Sequence, residues 1–445
     1  MSPVGIAFFD PKGVTVNSQG REPLGIVLAI VFVLSCIGSV QASGLEAGAA
    51  KGDITPPVGF PMWGYASRKD KPSEGVLDPL FARAIVLKAG ETKIALVSLD
   101  LGRPPTRNST TRIRDALKKE GFTELFLVGS HTHHGPALEL DTWPTPEKPY
   151  TRELEEKLIV LIKKADAARI PARYGVVSGE TTLNRNRQSK RADCPVDNEI
   201  LLLQFDDMLG KPIAHAVNFA AHPTMHPAEL MKFSADYPGA MAKVVEAQTG
   251  VPCLFLQGAA GDLSTKSPEG IKGPEAFGKR LGEDVLKLAG TIKIAKAKDS
   301  SLLANREELR FASVVDIANP QIKFALGKVF FPELIAFFEK EYKDGVRPTV
   351  TVAILDNAIG FVGVSGELFC EHALTLRRRA RLQHVVVMGY CNDYHQYFPT
   401  IQAAAEGGYG TVPPMAVAEI GAGEQLTDKA LIKIYQLRGK LPDWK

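Results

Sequence analysis

The sequence predicts an α/β protein of mixed β-sheets covered by helices, with an active site at the carboxyl ends of strands. Three observations carry this expectation. Short runs rich in Val, Ile, Leu and Phe alternate with longer amphipathic stretches, the pattern of strands and helices that share a core. Of the 445 residues, 45% are hydrophobic and 23% charged, which excludes disordered, collagenous and coiled-coil chains. Finally, polar residues able to do chemistry stand where apolar runs end. Asp100 follows one run, His131 and His133 another, and His222, Gln257 with Asp262, Glu367, and Tyr390 with Tyr394 follow four more. In open α/β sheets the ligand crevice lies beyond the carboxyl ends of the strands. Endings gathered on one sheet edge would therefore share a pocket.

The elements follow in chain order. Residues 1–42 read as an N-terminal extension plus secretory signal peptide. Arg21 precedes the apolar run 24–34, and Val40-Gln41-Ala42 supplies a small-residue ending with cleavage expected after Ala42. The run is short of the ~20 apolar residues that span a bilayer. Retention as an anchor and lipid attachment at Cys36 stand as rival outcomes. Export makes the protein periplasmic, secreted or membrane-associated, where disulfides can form. The spacings of Cys194, Cys253, Cys370 and Cys391 match no metal or redox motif, so buried free thiols are expected.

Residues 43–445 read as a single domain, with no internal repeat and no clean linker. Apolar runs bounded by turn residues predict strands at 81–88, 93–99, 124–129, 199–205, 213–219, 252–257, 303–311, 348–355, 358–364 and 384–388. Amphipathic stretches predict helices at 107–120, 150–167, 235–249, 274–296, 331–343 and 366–380. A net charge of +3 excludes a nucleic-acid field. The basic run Arg377–Arg381 reads as the solvated end of a helix.

The run His131-Thr132-His133-His134-Gly135-Pro136 is the first chemical signal. In an extended segment His131 and His133 point the same way. They could face one metal, or one could bind metal while the other meets substrate. Imidazole suits zinc, and a catalytic zinc keeps about three protein ligands and an exchangeable water. The plainer alternative is a polar turn at a strand end, and His134 is read as such a local turn residue. His222, before Pro223, is held extended, as a fixed ligand or a structural histidine. Glu367 would open the helix after it, as a ligand or as a first-turn acid stabilised by the dipole. Tyr390, Tyr394, Tyr397 and Tyr409 crowd one loop-like stretch. The Gln257–Ser264 loop lacks the Lys-Ser/Thr ending of a phosphate loop, and reads as a tight turn near the site.

Together these segments resemble the neutral (non-lysosomal) ceramidase family, zinc amidases that cleave the N-acyl bond of ceramide. The matching pieces run from Ala49–Pro57 through Asp100-Leu101-Gly102, the His-Thr-His run, Asn184-Arg185, Phe219…His222-Pro223-Thr224, Gln257…Asp262 and Gly366-Glu367-Leu368-Phe369 to Asn392-x-Tyr394-x-x-Tyr397, over roughly 45–415. The resemblance implies one Zn2+ per chain on His131, His222, Glu367 and Tyr397. It implies that His133, Arg185 and Tyr409 contact the substrate or the tetrahedral intermediate, with Arg187 competing for the arginine's place. The chain ends before the β-sandwich domain of long members, which puts a second, structural Mg2+ or Ca2+ near Asp100 in doubt. The implied reaction is zinc-dependent hydrolysis of a lipid-like amide, most simply ceramide to sphingoid base and fatty acid, with peripheral membrane contact. Alternatives are a related metallohydrolase acting on another exported amide or ester, and a non-catalytic binding protein on the same fold.

Overall fold

Side chains alternate along the strand Phe81–Ala89: Ala82, Ala84 and Val86 enter one core layer, Ile85 and Leu87 another. That two-sided burial repeats through the molecule, which in the computed structural model is described for residues 44–295 and 299–443. The signal segment, its cleavage after Ala42 and lipid attachment at Cys36 fall outside the described residues. Contacts group Ser43–Lys445 into one unit.

The larger sheet has eight strands: β1 (Glu46–Asp53), β2 (Phe81–Ala89), β3 (Thr92–Leu99), β4 (Glu124–Gly129), β5 (Ile170–Glu180), β6 (Glu199–Asp207), β7 (Pro212–Phe219) and β8 (Cys253–Gln257). Their order is β8-β7-β6-β5-β1-β2-β3-β4, with the outer pairs β8/β7 and β3/β4 parallel and the rest antiparallel. A second sheet holds β9 (Leu302–Glu308), β10 (Thr349–Leu355), β11 (Ile359–Val364) and β12 (His384–Met388) in that order, β11 and β12 being parallel.

Four layers result. Helices α1 (Arg107–Lys118) and α2 (Tyr150–Ala167) cover part of the outer face of the large sheet, through Ile113, Leu154 and Leu158. Helices α3 (Asp236–Thr249) and α4 (Gly273–Ala289) cover the rest, through Tyr237, Met241, Phe277 and Leu281. Between the sheets lie Ile85, Leu96, Phe126 and Phe205 from one side, and Leu355, Phe361 and Met388 from the other. A hairpin of α5 (Pro320–Gly327) and α6 (Pro332–Glu341) precedes β10; α7 (Cys370–Ala380), α8 (Ile401–Glu406) and α9 (Ala422–Leu437) complete the chain. The outer face of the second sheet packs on Leu376 of α7 and on Leu426 and Ile434 of α9. The fold is α/β with mixed sheets covered by helices, and every apolar run read as a strand is one.

The differences have physical reasons. The central strand β1 is Glu-Ala-Gly-Ala-Ala-Lys-Gly-Asp, with no β-branched residue to announce it. Small residues are required because α2 lies directly on it: a Cβ at Gly48 would stand 2.3 Å from the Ala165 carbonyl oxygen. Glu367 does not open a helix. It lies in a two-residue strand, Glu367–Leu368, paired in parallel with Tyr397–Phe398, and α7 starts only at Cys370. The helix expected to reach 296 ends at Ala289 before Gly290. The cysteines 194, 253, 370 and 391 are free thiols, Cys194 half-buried and the others buried. Among the described residues no helix is long and apolar enough to cross a membrane.

Candidate metal centre

Beyond the ends of β4, β7 and β11, three chain segments turn inward. After β4, Ser130 N donates to Leu99 O at 2.8 Å and His131 N to Leu101 O at 3.0 Å. His131 then takes φ 69°, a left-handed backbone that costs a residue with a Cβ. The His-Thr-His run is therefore a turn rather than the extended segment expected, yet the two rings converge, with Nε2 atoms 3.4 Å apart. His131 Nδ1 lies 2.9 Å from Gly102 O. A carbonyl can only accept, so Nδ1 carries the proton and Nε2 keeps its lone pair. After β7 the same device recurs: His222 Nδ1 lies 2.7 Å from Ala260 O and 3.1 Å from Leu263 O. After β11, Glu367 is buried with Oε2 3.0 Å from His222 Nε2 and 3.4 Å from His131 Nε2.

These distances test whether a cation fits. His131 Nε2 and Glu367 Oε2 face one another with no proton to share between them. Burial holds His131 neutral, pushing its pKa down to about 3 against the pull of Glu367. Burial, and then Arg187, likewise hold His222 well below the usual imidazole range. A lone pair facing a buried carboxylate repels it; a metal ion between them turns the contact into two bonds. One ligand atom from each of His131, His133 and His222 also falls within 4.8 Å of the others. The residues fit a divalent metal.

Phenols surround the Glu367 carboxylate and His222. Tyr394 Oη donates to Glu367 Oε1 at 2.5 Å and Tyr390 Oη to Oε2 at 3.1 Å. Tyr397, register partner of Glu367, has its Oη 3.5 Å from His222 Nε2. Burial and then Glu367 raise its pKa well above that of a free phenol. Tyr409 is largely exposed, hydrogen-bonds Tyr397, and lies under the Arg187 guanidinium at 5.5 Å.

The arginine at the cluster is Arg187, not Arg185. Arg187 is exposed along part of its length, but Nη2 reaches His222 Nε2 at 2.9 Å, Gly261 O at 3.0 Å and Tyr397 Oη at 3.2 Å. Arg185 is exposed and meets only the Ser264 hydroxyl, at 3.4 Å. Alternation explains the choice. Arg185 sits in the short strand Asn184–Asn186 paired with Leu263–Thr265, and the chain must leave that strand before an arginine can turn inward. Arg187 N is then fixed on Asp262 O at 2.8 Å.

Several positioning contacts escape the sequence reading, though Gln257 and His134 themselves are singled out there. Buried Gln257 Nε2 donates to Ser130 O and Ala221 O, at 3.0 and 2.9 Å, tying the two histidine turns together. Arg68 is buried and donates to His133 O at 2.5 Å and to His134 Nε2 at 2.6 Å, so His134 braces the turn from behind. The Trp63 ring lies 5.0 Å from His131 and 5.4 Å from His133. Next to it Gly64 has φ 105°, and a Cβ there would stand 2.6 Å from His133 Cα. Glycine is the residue that lets these chains touch. Asp100, where a second metal was in doubt from the sequence, accepts from Phe81 N at 3.0 Å and from Arg83 Nη1 at 2.9 Å.

Buried neutral histidines set the acid response of the metal-free protein. Burial lowers His131 and His134 to about 3 and His215 to about 4, whereas the unfolded chain titrates near 6.5. Between those values the unfolded state binds more protons, so stability is lost as pH falls below about 6.5. Asp236 and Asp262, raised by burial to about 6, oppose the trend with fewer protons. Chelated protein is expected to melt at lower temperature at pH 5 than at pH 7; a scanning calorimetry series at constant ionic strength checks this.

No family model matches the sequence. Two solved structures share its fold: the neutral ceramidase from Pseudomonas aeruginosa and a ceramidase complexed with C2. Each is 19% identical and superposes with a TM-score of 0.73 over 91% of this chain and 76% of its own.

Proposed function

We propose that the chain is an exported zinc-dependent amidohydrolase that cleaves an N-acyl amide bond, with ceramide as the first substrate to try. The observation that carries this is the convergence of His131, His222 and Glu367 beyond the ends of three strands, with Arg187 and Tyr397 at hydrogen-bond distance. The ceramidase fold supports the substrate class, and the apolar run 24–34 supports export with peripheral membrane contact.

His131, His222, Glu367 and Tyr397 would hold the ion, the imidazoles through Nε2. When bound, zinc supplies a Lewis acid that polarises the amide carbonyl and acidifies a water. The chain's own groups do the rest. Gly102 O, Ala260 O and Leu263 O hold the two imidazoles in the tautomer that offers Nε2. Arg187 donates toward the position where negative charge grows on the carbonyl oxygen, aided by the Tyr409 hydroxyl. His133, half-buried and lining the cavity beside the cluster, would take the proton that the attacking water loses and deliver it to the departing amine.

The test is hydrolysis of a fluorescent N-acylsphingosine with metal content measured in parallel. The expected result is about one zinc per chain, loss of activity on chelation, and return on adding zinc. Metal-free protein from zinc-replete medium, or turnover that chelation does not touch, sinks the reading.

A further inference from the structure

The two oxygens of Glu367 have different neighbours. Oε2 faces the histidines, 3.0 Å from His222 Nε2 and 3.4 Å from His131 Nε2, and accepts from Tyr390 Oη at 3.1 Å. Oε1 accepts from Tyr394 Oη at 2.5 Å, a charge-assisted hydrogen bond of the strong kind. The Tyr394 hydroxyl also lies 3.2 Å from Gln396 Oε1, but that acceptor is neutral and more distant, so the carboxylate keeps the proton's side of the phenol. Burial, and then Glu367 itself, hold both phenols well above the usual tyrosine range, so each retains the proton it donates. Tyr394 is fixed from three sides. Its N donates to Asp393 Oδ1 at 2.8 Å, the Arg103 guanidinium lies 5.4 Å from its ring, and the Trp63 ring lies 5.5 Å away. Beside it a cavity of about 120 Å3 is lined in part by His131, His133, Glu367 and Tyr394. At about 30 Å3 per water, there is room for an exchangeable water at the cluster.

We infer that Tyr394 is a positioning residue: its hydroxyl holds Oε1 of Glu367 back, so that the carboxylate serves the metal through Oε2 alone and the place of the water stays open. The inference rests on the reading of the cluster as a zinc centre, and adds to it which residue reserves the open position. Four groups, His131, His222, Glu367 and Tyr397, are already assigned to the ion. Catalytic zinc sites hold four partners, at times five, so a second carboxylate oxygen would stand where the water must. A carboxylate can offer both oxygens to one cation, and its own chemistry does not prevent this. Removing the Tyr394 hydroxyl leaves Oε1 buried without its donor, a costly state unless another partner is found. The ion would be at hand, because Oε2 of the same group already faces it. Tyr390 differs, since its hydroxyl donates to the oxygen that faces the histidines. Its loss frees no further oxygen.

The experiment compares the full chain with Tyr394→Phe and Tyr390→Phe by three readouts. These are the zinc Kd from competition with a chromophoric chelator, the number of oxygen neighbours from X-ray absorption at the zinc edge, and kcat on the fluorescent N-acylsphingosine. Loss of an ordinary supporting hydrogen bond weakens metal affinity about 10–100-fold. Tyr390→Phe should do that, with the oxygen shell unchanged. Tyr394→Phe should instead hold zinc at least as tightly as the unsubstituted protein, show both carboxylate oxygens on the ion, and lose about 10–100-fold in kcat. A merely structural role for Tyr394 would not tighten zinc while slowing turnover. Zinc weakened in Tyr394→Phe with one carboxylate oxygen still bound overturns the inference. So do two carboxylate oxygens on zinc in the unsubstituted protein, and that count alone decides if Tyr394→Phe does not fold. Unsubstituted protein that binds no zinc removes the zinc reading and this inference with it. Zinc bound and indifferent to Tyr394 removes only the inference, so the two failures are distinguishable.

Discussion

Replacing His222 with alanine is expected to lower bound zinc below about one-tenth equivalent and kcat/KM at least about 1,000-fold, since Lewis-acid chemistry is lost with the ion. His131→Ala should do the same. Both imidazoles are fully buried, and each has its Nδ1 satisfied by a backbone carbonyl. Removing either leaves the Glu367 carboxylate buried with one partner fewer, a costly state. His133→Ala divides the roles. If His133 passes a proton rather than binding metal, this variant keeps most of its zinc and loses about 100–10,000-fold in rate. If it empties the site, His133 is a ligand, and the three-histidine group becomes the metal set. Metal analysis beside steady-state kinetics on the three variants reads all of this, and a fully active, fully loaded His222→Ala protein would remove the centre altogether.

The fold was legible where burial is two-sided. A run such as Leu125–Val128 or Val385–Met388 is apolar on both faces because a sheet lies on one side and helices on the other. The reading failed where packing asks for small residues. β1 is invisible as a strand because α2 rests on Gly48. The stripe Leu426, Ala430, Ile434 of α9 has helical spacing and was open to reading, but nothing in it points to chemistry.

The site was legible through residues that end strands, Gln257 among them, but the contacts by which its supports hold it were not. Gln257 holds two turns from different strands, a relation that only the folded sheet order creates. Arg103 is a further case. Fully buried, it pairs with Glu139 and Asp393 at 2.9 Å and lies 5.4 Å from the Tyr394 ring, whose hydroxyl in turn donates to Glu367. Its partner Asp393 lies 290 residues away along the chain, so no local pattern could announce the pair. Left-handed backbone at Tyr390, Asn392 and Gln396 likewise marks the loop that carries the phenols, and only coordinates show it.

Arg187→Ala is expected to cost about 100–1,000-fold in kcat with zinc retained, the loss typical of one donor aimed at a developing oxyanion. Arg185→Ala should change kcat by no more than about twofold. The pair is a controlled comparison: same residue type, two positions apart, in one motif read twice. Arg187 Nη2 has three partners at the cluster, His222, Gly261 and Tyr397, whereas Arg185 touches one exposed hydroxyl. Arg187→Lys should restore little, because the rigid guanidinium holds its single nitrogen Nη2 at all three partners, whereas an ammonium is a point charge on a flexible stem. The effect should fall on kcat more than on KM if the arginine acts on the charge that grows during reaction. An Arg187→Ala enzyme with unchanged kcat and a raised KM would make it a binding residue for the ground state. A large loss in Arg185→Ala with Arg187→Ala unaffected would mean that the loop turns over when substrate binds, bringing the other arginine inward.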